Sequence, residues 1–158
     1  MAFTGQLAVV TGGGSGMGQE WARQLATNGA SVALLDVNAE GMATTAAGYD
    51  AIYPFTVDIT DAVAVKAAIS DIETQLGAID RVINAAAIMP FGRLADEDPS
   101  VTNAVMSVNY GGLVNVTTAT LPTMLQRGYG DFISFSSMTG IIPGLLMGAY
   151  ASSKAAVQ

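Results

Sequence analysis

The sequence predicts an α/β fold, a doubly wound parallel sheet with helices on both faces, and three observations lead there. Short, continuous apolar runs alternate with longer stretches of helical period along the whole chain. The first apolar run ends in a glycine-rich turn that opens a helix. Each helical stretch closes on turn residues, after which the next apolar run begins.

The elements follow in order. Leu7–Thr11 (LAVVT) has no polar alternation, as a strand buried on both faces requires. Met17 to Asn28 carries Trp21, Ala22, Leu25 and Ala26 at helical spacing, and Asn28-Gly29 stops it. Ser31–Val37 is the second strand and Ala39–Gly48 a short helix. Ala51–Asp58 is the third strand, and Pro54, which lacks an N–H, assigns it to an edge. Thr60 and Asp61 are suited to cap a helix that runs to Leu76 and stops at Gly77. Asp80–Ala87 is a fourth strand. Pro99–Arg127 is one long helical stretch with breaks expected near Asn109–Gly112 and at Pro122. Asp131–Ser137 is a fifth strand, and a further helix starts at Gly148.

At 158 residues, with no repeat, linker or low-complexity tract, residues 1–158 are expected to form a single domain. The chain is 51% apolar, which excludes intrinsic disorder. A net charge of −7, with only six basic residues and no cluster of them, argues against nucleic acid or an anionic membrane as partner. There is no Cys and no His, so thiolate chemistry and the commonest metal ligand and general base are missing. No metal site is expected, and acid–base work must fall to Tyr, Lys, Asp or Glu. The N-terminus lacks a basic leader and the apolar windows are broken by polar residues and Pro. A cytoplasmic protein that does not span a membrane is the expectation.

The turn TGGGSGMG, Thr11–Gly18, lies between the first strand and first helix. Glycines there let the backbone approach a pyrophosphate, whose charge meets the amides and dipole of the helix N-terminus. Gly12, Ser15, Gly16, Met17 and Gly18 are the candidate contacts. Asp36 follows the second strand, where a carboxylate accepts from a ribose 2′-hydroxyl and repels a 2′-phosphate. No Arg or Lys stands in the loop or beside Asp36, so NAD is expected over NADP.

With this loop, the motifs NAAA (Asn84–Ala87), SVNYGG (Ser107–Gly112), FSSMTG (Phe135–Gly140) and YASSK (Tyr150–Lys154) stand in order, and the chain resembles the short-chain dehydrogenase/reductase family from near its N-terminus to its last residue. The resemblance implies a Rossmann-type fold and an NAD-dependent oxidoreductase acting on a secondary alcohol or ketone. It implies an adenine contact at Asp58 with Ile59 beside it, and cofactor contacts at Asn84, Ala85, Ala86, Tyr150 and Lys154. Two departures from the family's Asn-Asn-Ala-Gly occur, at Ala85 and at Ala87, the latter where glycine usually lets the backbone come close. The family's catalytic set falls on Asn109, Ser137, Tyr150 and Lys154, and a water near Asn109 is implied as a proton relay to Lys154.

The chemistry is sensible for these residue types. Lys66 and Lys154 are the two lysines of the chain, and Lys154 lies one helical turn from Tyr150. A free tyrosine, with a pKa of about 10, is a poor base near neutrality; reaching about 7 takes roughly 4 kcal/mol of preferential phenolate stabilisation. An ammonium one turn away and a positive nicotinamide ring are suited to provide it. Ser137 would hold the substrate oxygen near Tyr150.

The apolar set Val105, Met106, Val108, Leu113, Val114, Val116, Leu121 and Leu125 is read as core or as packing between subunits, and a homodimer or homotetramer is the implied assembly. Ile142, Leu145, Leu146 and Met147 read as an apolar pocket wall, and Asp96–Pro99 as an acidic helix start. Family members continue with further strands and a substrate lid, which the given chain is expected to lack. The alternative is therefore a nucleotide-binding module without turnover.

Overall fold

The computed structural model describes residues 6–158. Five parallel strands form one sheet in the order β3-β2-β1-β4-β5: β1 (Leu7–Thr11), β2 (Ser31–Asp36), β3 (Ile52–Thr56), β4 (Arg81–Asn84) and β5 (Asp131–Ser134). Around it lie α1 (Gly16–Thr27), α2 (Ala39–Ala46), α3 (Ala62–Leu76), α4 (Pro99–Met106), α5 (Leu113–Arg127) and α6 (Gly148–Ala156). The chain winds outward from β1 to β3, then crosses to β4 on the other side of β1. Such a reversal opens a crevice at the carboxyl ends of the strands.

Strand alternation builds two cores. Leu7 and Val9 of β1 face Val65, Ile69 and Ile72 of α3 and Val116 and Met124 of α5. Ala8 and Val10 face the opposite side, with Ala22 and Leu25 of α1 and Met42 of α2. Every β1 residue is buried, which is why the run has no polar alternation. Pro54 sits in edge strand β3 opposite Leu34, as its missing N–H requires. At the other edge, Arg81 clasps Asp131 with two hydrogen bonds of 2.7 and 2.6 Å and fixes the β4–β5 register.

Several boundaries are tighter than the apolar runs suggest. Beyond Asn84 the amides of Ala85 and Ala86 turn to Thr11 Oγ1, both at 3.1 Å, so β4 ends there and not at Ala87. β5 stops at Ser134 because the Phe135 carbonyl turns to accept from Lys154. Asp61 caps α3 through the amides of Val63 and Ala64, and Asp98 caps α4 ahead of Pro99. The expected break near Asn109 is a π-helical turn, Ser107–Gly112, but the one at Pro122 is absent: α5 runs through it. A proline there costs one hydrogen bond, which the packing of Val116, Thr120 and Met124 against the sheet outweighs. Of the apolar set from Val105 to Leu125, Val105 and Val116 are core whereas Val114, Leu121 and Leu125 are exposed. No helix among the described residues is long and apolar enough to cross a membrane.

At the amino end of the sheet, Asp80 ties β1 to α5. Its carboxylate accepts from the amides of Gln6 (2.7 Å) and Leu7 (3.2 Å) and from Arg127 Nη1 (3.0 Å). Burial works to raise the Asp80 pKa, but the Gln6 amide, Arg127 and the Leu7 amide overcome it and hold the carboxyl below its usual range. A depressed folded pKa contributes stability above the unfolded value and loses it as pH falls through the folded one. Asp80→Ala is therefore expected to cost about 2 kcal/mol at pH 7, and the gap to the parent to close as pH drops below about 4. Urea unfolding across that range measures both.

Candidate active site and cofactor cleft

A cleft of about 420 Å³ opens at the carboxyl ends of β1 to β4. It is lined by Gly12, Ser15, Gly16, Met17 and Gly18, by Asp36, by Asp58 and Ile59, and by Ala85 and Ala86. Residues spread over four sequence segments thus meet in one crevice.

Close approach explains the glycines. Gly12 has φ +69°, and a Cβ there would lie 2.7 Å from Ala86 Cα. At Gly18 a Cβ would lie 2.2 Å from the Gly12 carbonyl oxygen, so only glycine lets α1 start this near the end of β1. Gly16, at φ +53°, borders the open cleft, and a Cβ added there would meet nothing within 4 Å.

Asp36 holds the loop as well as facing the cleft. One carboxylate oxygen accepts from the Gly14 amide at 2.8 Å and the other from the Asn38 amide at 2.9 Å. Asp58 accepts from the amide and hydroxyl of Thr60, both at 2.8 Å; the α3 cap is Asp61, which leaves Asp58 at the cleft. Ile59 is held from the other side, where Asn115 Nδ2 donates to its carbonyl at 2.9 Å and Gly112 packs against its side chain. Ala87 lines the cleft with negative φ, since Leu146 is the one non-glycine residue with positive φ among the described residues. Its methyl is therefore compatible with the backbone at that turn.

The polar residues form a second group beside the cleft. On α6, Lys154 is 5% exposed, its Nζ lies 5.7 Å from the Tyr150 ring centroid, and it donates to the Phe135 carbonyl at 2.7 Å. Burial pushes the Lys154 ammonium below its usual pKa range. It has no carboxylate partner among the described residues. Tyr150 Oη makes no hydrogen bond to any described residue. Ser137 caps the short turn Met138–Gly140, where its Oγ accepts from Thr139 N at 3.2 Å and Thr139 Oγ1 at 2.9 Å. That turn is docked on α6: Ser136 Oγ donates to the Lys154 carbonyl, and Gly140 lies so close that a Cβ would meet Lys154 backbone at 2.8 Å.

Asn109 projects from the π turn and is 2% exposed. Its side chain is spent on Ile88, accepting from the amide at 2.8 Å and donating to the carbonyl at 3.0 Å, and on Ser153 Oγ at 3.0 Å. Asn84, Tyr150 and Lys154 stand outside the cleft lining, and Asn84 Oδ1 is buried without a partner. Leu35, Val37, Val57, Ala87, Ile88 and Val108 complete the lining; of these, Ala87 is the position the NAAA motif marks for close approach, and Val108 lies within SVNYGG. Leu35, Val37, Val57 and Ile88 adjoin residues the motifs mark, whereas Val108, beside Asn109 in the π turn, is brought to the cleft by tertiary packing. Of the expected apolar wall, Ile142, Leu145 and Leu146 are exposed, and none of the four residues, Met147 included, lines this cleft.

Comparison with known proteins agrees with this architecture. A family model described as short chain dehydrogenase matches residues 6–158. A short chain dehydrogenase from Pseudocercospora fijiensis is 39% identical over 98% of this chain and 53% of its own. A Sphingomonas 2-dehydro-3-deoxy-L-rhamnonate dehydrogenase (NAD(+)) is 35% identical over 98% of this chain and 63% of its own. Among solved structures, a Burkholderia cenocepacia gluconate 5-dehydrogenase in complex with NADP and tartrate superposes with a TM-score of 0.89 at 34% identity, covering 98% of this chain and 62% of that one. The chain thus spans between half and two thirds of the length of these relatives. A match of the family model over nearly the whole chain, on a sheet and cleft of this kind, establishes that the protein belongs to the short chain dehydrogenase family.

Proposed function

We propose that residues 1–158 are the dinucleotide-binding and proton-transfer domain of an oxidoreductase that moves a hydride between NAD(H) and a secondary alcohol or ketone. The carrying observation is Lys154, a buried cation with no counter-ion among the described residues, beside the ring of a tyrosine whose hydroxyl bonds to no described residue. Burying a charge without a counter-ion is costly, and a role in chemistry is a physical reason to retain such a group.

The residues fit the cofactor. The start of α1 turns its amides and the open space at Gly16 toward the cleft, which suits a pyrophosphate. The charged side chains lining the cleft, Asp36 and Asp58, are both carboxylates, which suits a ribose with free hydroxyls and not a 2′-phosphate. Lys154 Nζ spends one of its three donors on Phe135 and leaves the rest for a ribose.

A nicotinamide cofactor, when bound, supplies or accepts the hydride. Tyr150 Oη passes the proton to the ketone oxygen, or takes it from the alcohol. Lys154 places positive charge beside that exchange. Ser137 Oγ accepts two hydrogen bonds from Thr139, so its own proton is free to hold the substrate oxygen. Asn109 fixes the cleft wall against α6. The exposed apolar positions Val114, Leu121 and Leu125 share one face of α5 and support a homo-oligomer.

NADH oxidation with a panel of ketones, and NAD reduction with the matching alcohols, tests this reading. Tight NADH binding with no turnover on any member would leave a binding module instead. In the same assay NADH should be preferred over NADPH by at least about tenfold, and Asp36→Asn should narrow that ratio. Equal use of both by the parent would remove the role given to Asp36.

A further inference from the structure

We infer that Ser153 is a positioning residue that sets α6, with Tyr150 and Lys154, in register against the cleft wall at Ile88. Its hydroxyl is fully buried and makes two hydrogen bonds. It accepts from Asn109 Nδ2 at 3.0 Å and donates to the Tyr150 carbonyl at 2.8 Å. Asn109 in turn clasps Ile88 at both its amide and its carbonyl, and Ile88 lines the cleft. Two side chains therefore join three segments: the loop after β4, the π turn and α6.

No other side-chain hydrogen bond among the described residues links Asn109 to α6. The Ser136 bond and the Lys154–Phe135 bond fasten α6 to the segment after β5 and do not reach Ile88. Ser153 thus carries the link between the wall that would contact the cofactor and the helix that carries the proton donor. The Asn109 amide orientation follows from the same set. Its oxygen must face the Ile88 N–H, so both amide hydrogens are assigned, one to the Ile88 carbonyl and one to Ser153. Taking away the serine hydroxyl leaves one of those hydrogens without an acceptor, in a place closed to water.

The consequence for turnover rests on the proton-transfer reading above, whereas the register itself does not. Ser153→Ala removes one oxygen and no packing carbon, so the variant is expected to fold. Thr120→Val serves as control, because it deletes a hydroxyl that is equally buried but bonds only within α5. Hydrogen exchange followed by NMR on parent and both variants reads the register. The Ile88 amide should exchange about tenfold faster in Ser153→Ala, with the β1 amides of Val9 and Val10 unchanged. Thr120→Val should leave Ile88 at the parent rate. On the ketone panel, Ser153→Ala should lower kcat about tenfold, with Thr120→Val at the parent value. Parent-rate exchange at Ile88, or a gain matched by Val9 and Val10, would overturn the inference. So would a drop in kcat equalled by Thr120→Val. If Tyr150→Phe turns over at the parent rate, the proton-transfer reading fails, while the Ile88 exchange still decides the register.

Discussion

Gly18→Ala is expected to lower stability by about 3 kcal/mol, a fall in Tm on the order of 10 °C, and to weaken NADH binding with it. The added methyl would lie 2.2 Å from the Gly12 carbonyl oxygen and 2.7 Å from its carbon. Both are backbone atoms at the end of β1, a strand buried along its length, so no side chain can swing aside. Relief requires α1 to lift from the sheet, and that moves the amides of Ser15–Gly18 out of the cleft. Gly16→Ala is the contrast: its φ of +53° carries strain of about 1 kcal/mol, but nothing within 4 Å obstructs the methyl. Thermal unfolding and NADH titration of both variants compare steric conflict with backbone strain. Equal losses would mean that conformation, and not the approach of α1 to β1, governs the loop.

Tyr150→Phe is expected to reduce NAD(H)-linked turnover by about 10²–10⁴-fold and to leave NADH affinity and stability near the parent values. The selectivity follows from where the hydroxyl stands. Tyr150 Oη has no hydrogen bond to any described residue, so its removal breaks no internal bond, and Tyr150 is not part of the cleft lining. What disappears is the hydroxyl proposed as proton donor, on the ring beside the Lys154 ammonium. Turnover on the ketone panel, with NADH binding measured in parallel, separates a catalytic loss from a folding one. A variant that keeps the parent rate would remove Tyr150 from the chemistry.

Much of this is legible in the sequence because the sheet and the cleft are written locally. A strand buried on both faces must be largely apolar, a tight strand-to-helix turn must be glycine where backbones touch, and an edge strand tolerates Pro54. Tyr150 and Lys154 are neighbours by helical spacing alone. The rest depends on contacts between distant segments. Strand β4 ends at Asn84 because Thr11, 74 positions from Ala85, captures the next amide. α5 passes through Pro122 because buried neighbours hold it, which propensity cannot reveal. Ile88 and Val108 become cleft wall only when the π turn folds back on the loop after β4. Nothing local marks Ser153 between Tyr150 and Lys154; its role comes from Asn109, which reaches it from 44 positions away.

A crystal structure of the protein with NADH bound would show whether the cofactor meets Asp36 at one end and Lys154 and Tyr150 at the other. The pyrophosphate is expected on the amides of Ser15–Gly18, the adenosine ribose hydroxyls on Asp36, and the nicotinamide ribose within reach of Lys154 Nζ, with the ring facing Tyr150. A cofactor seated elsewhere, or one whose nicotinamide points away from Tyr150 and Lys154, would contradict this placement.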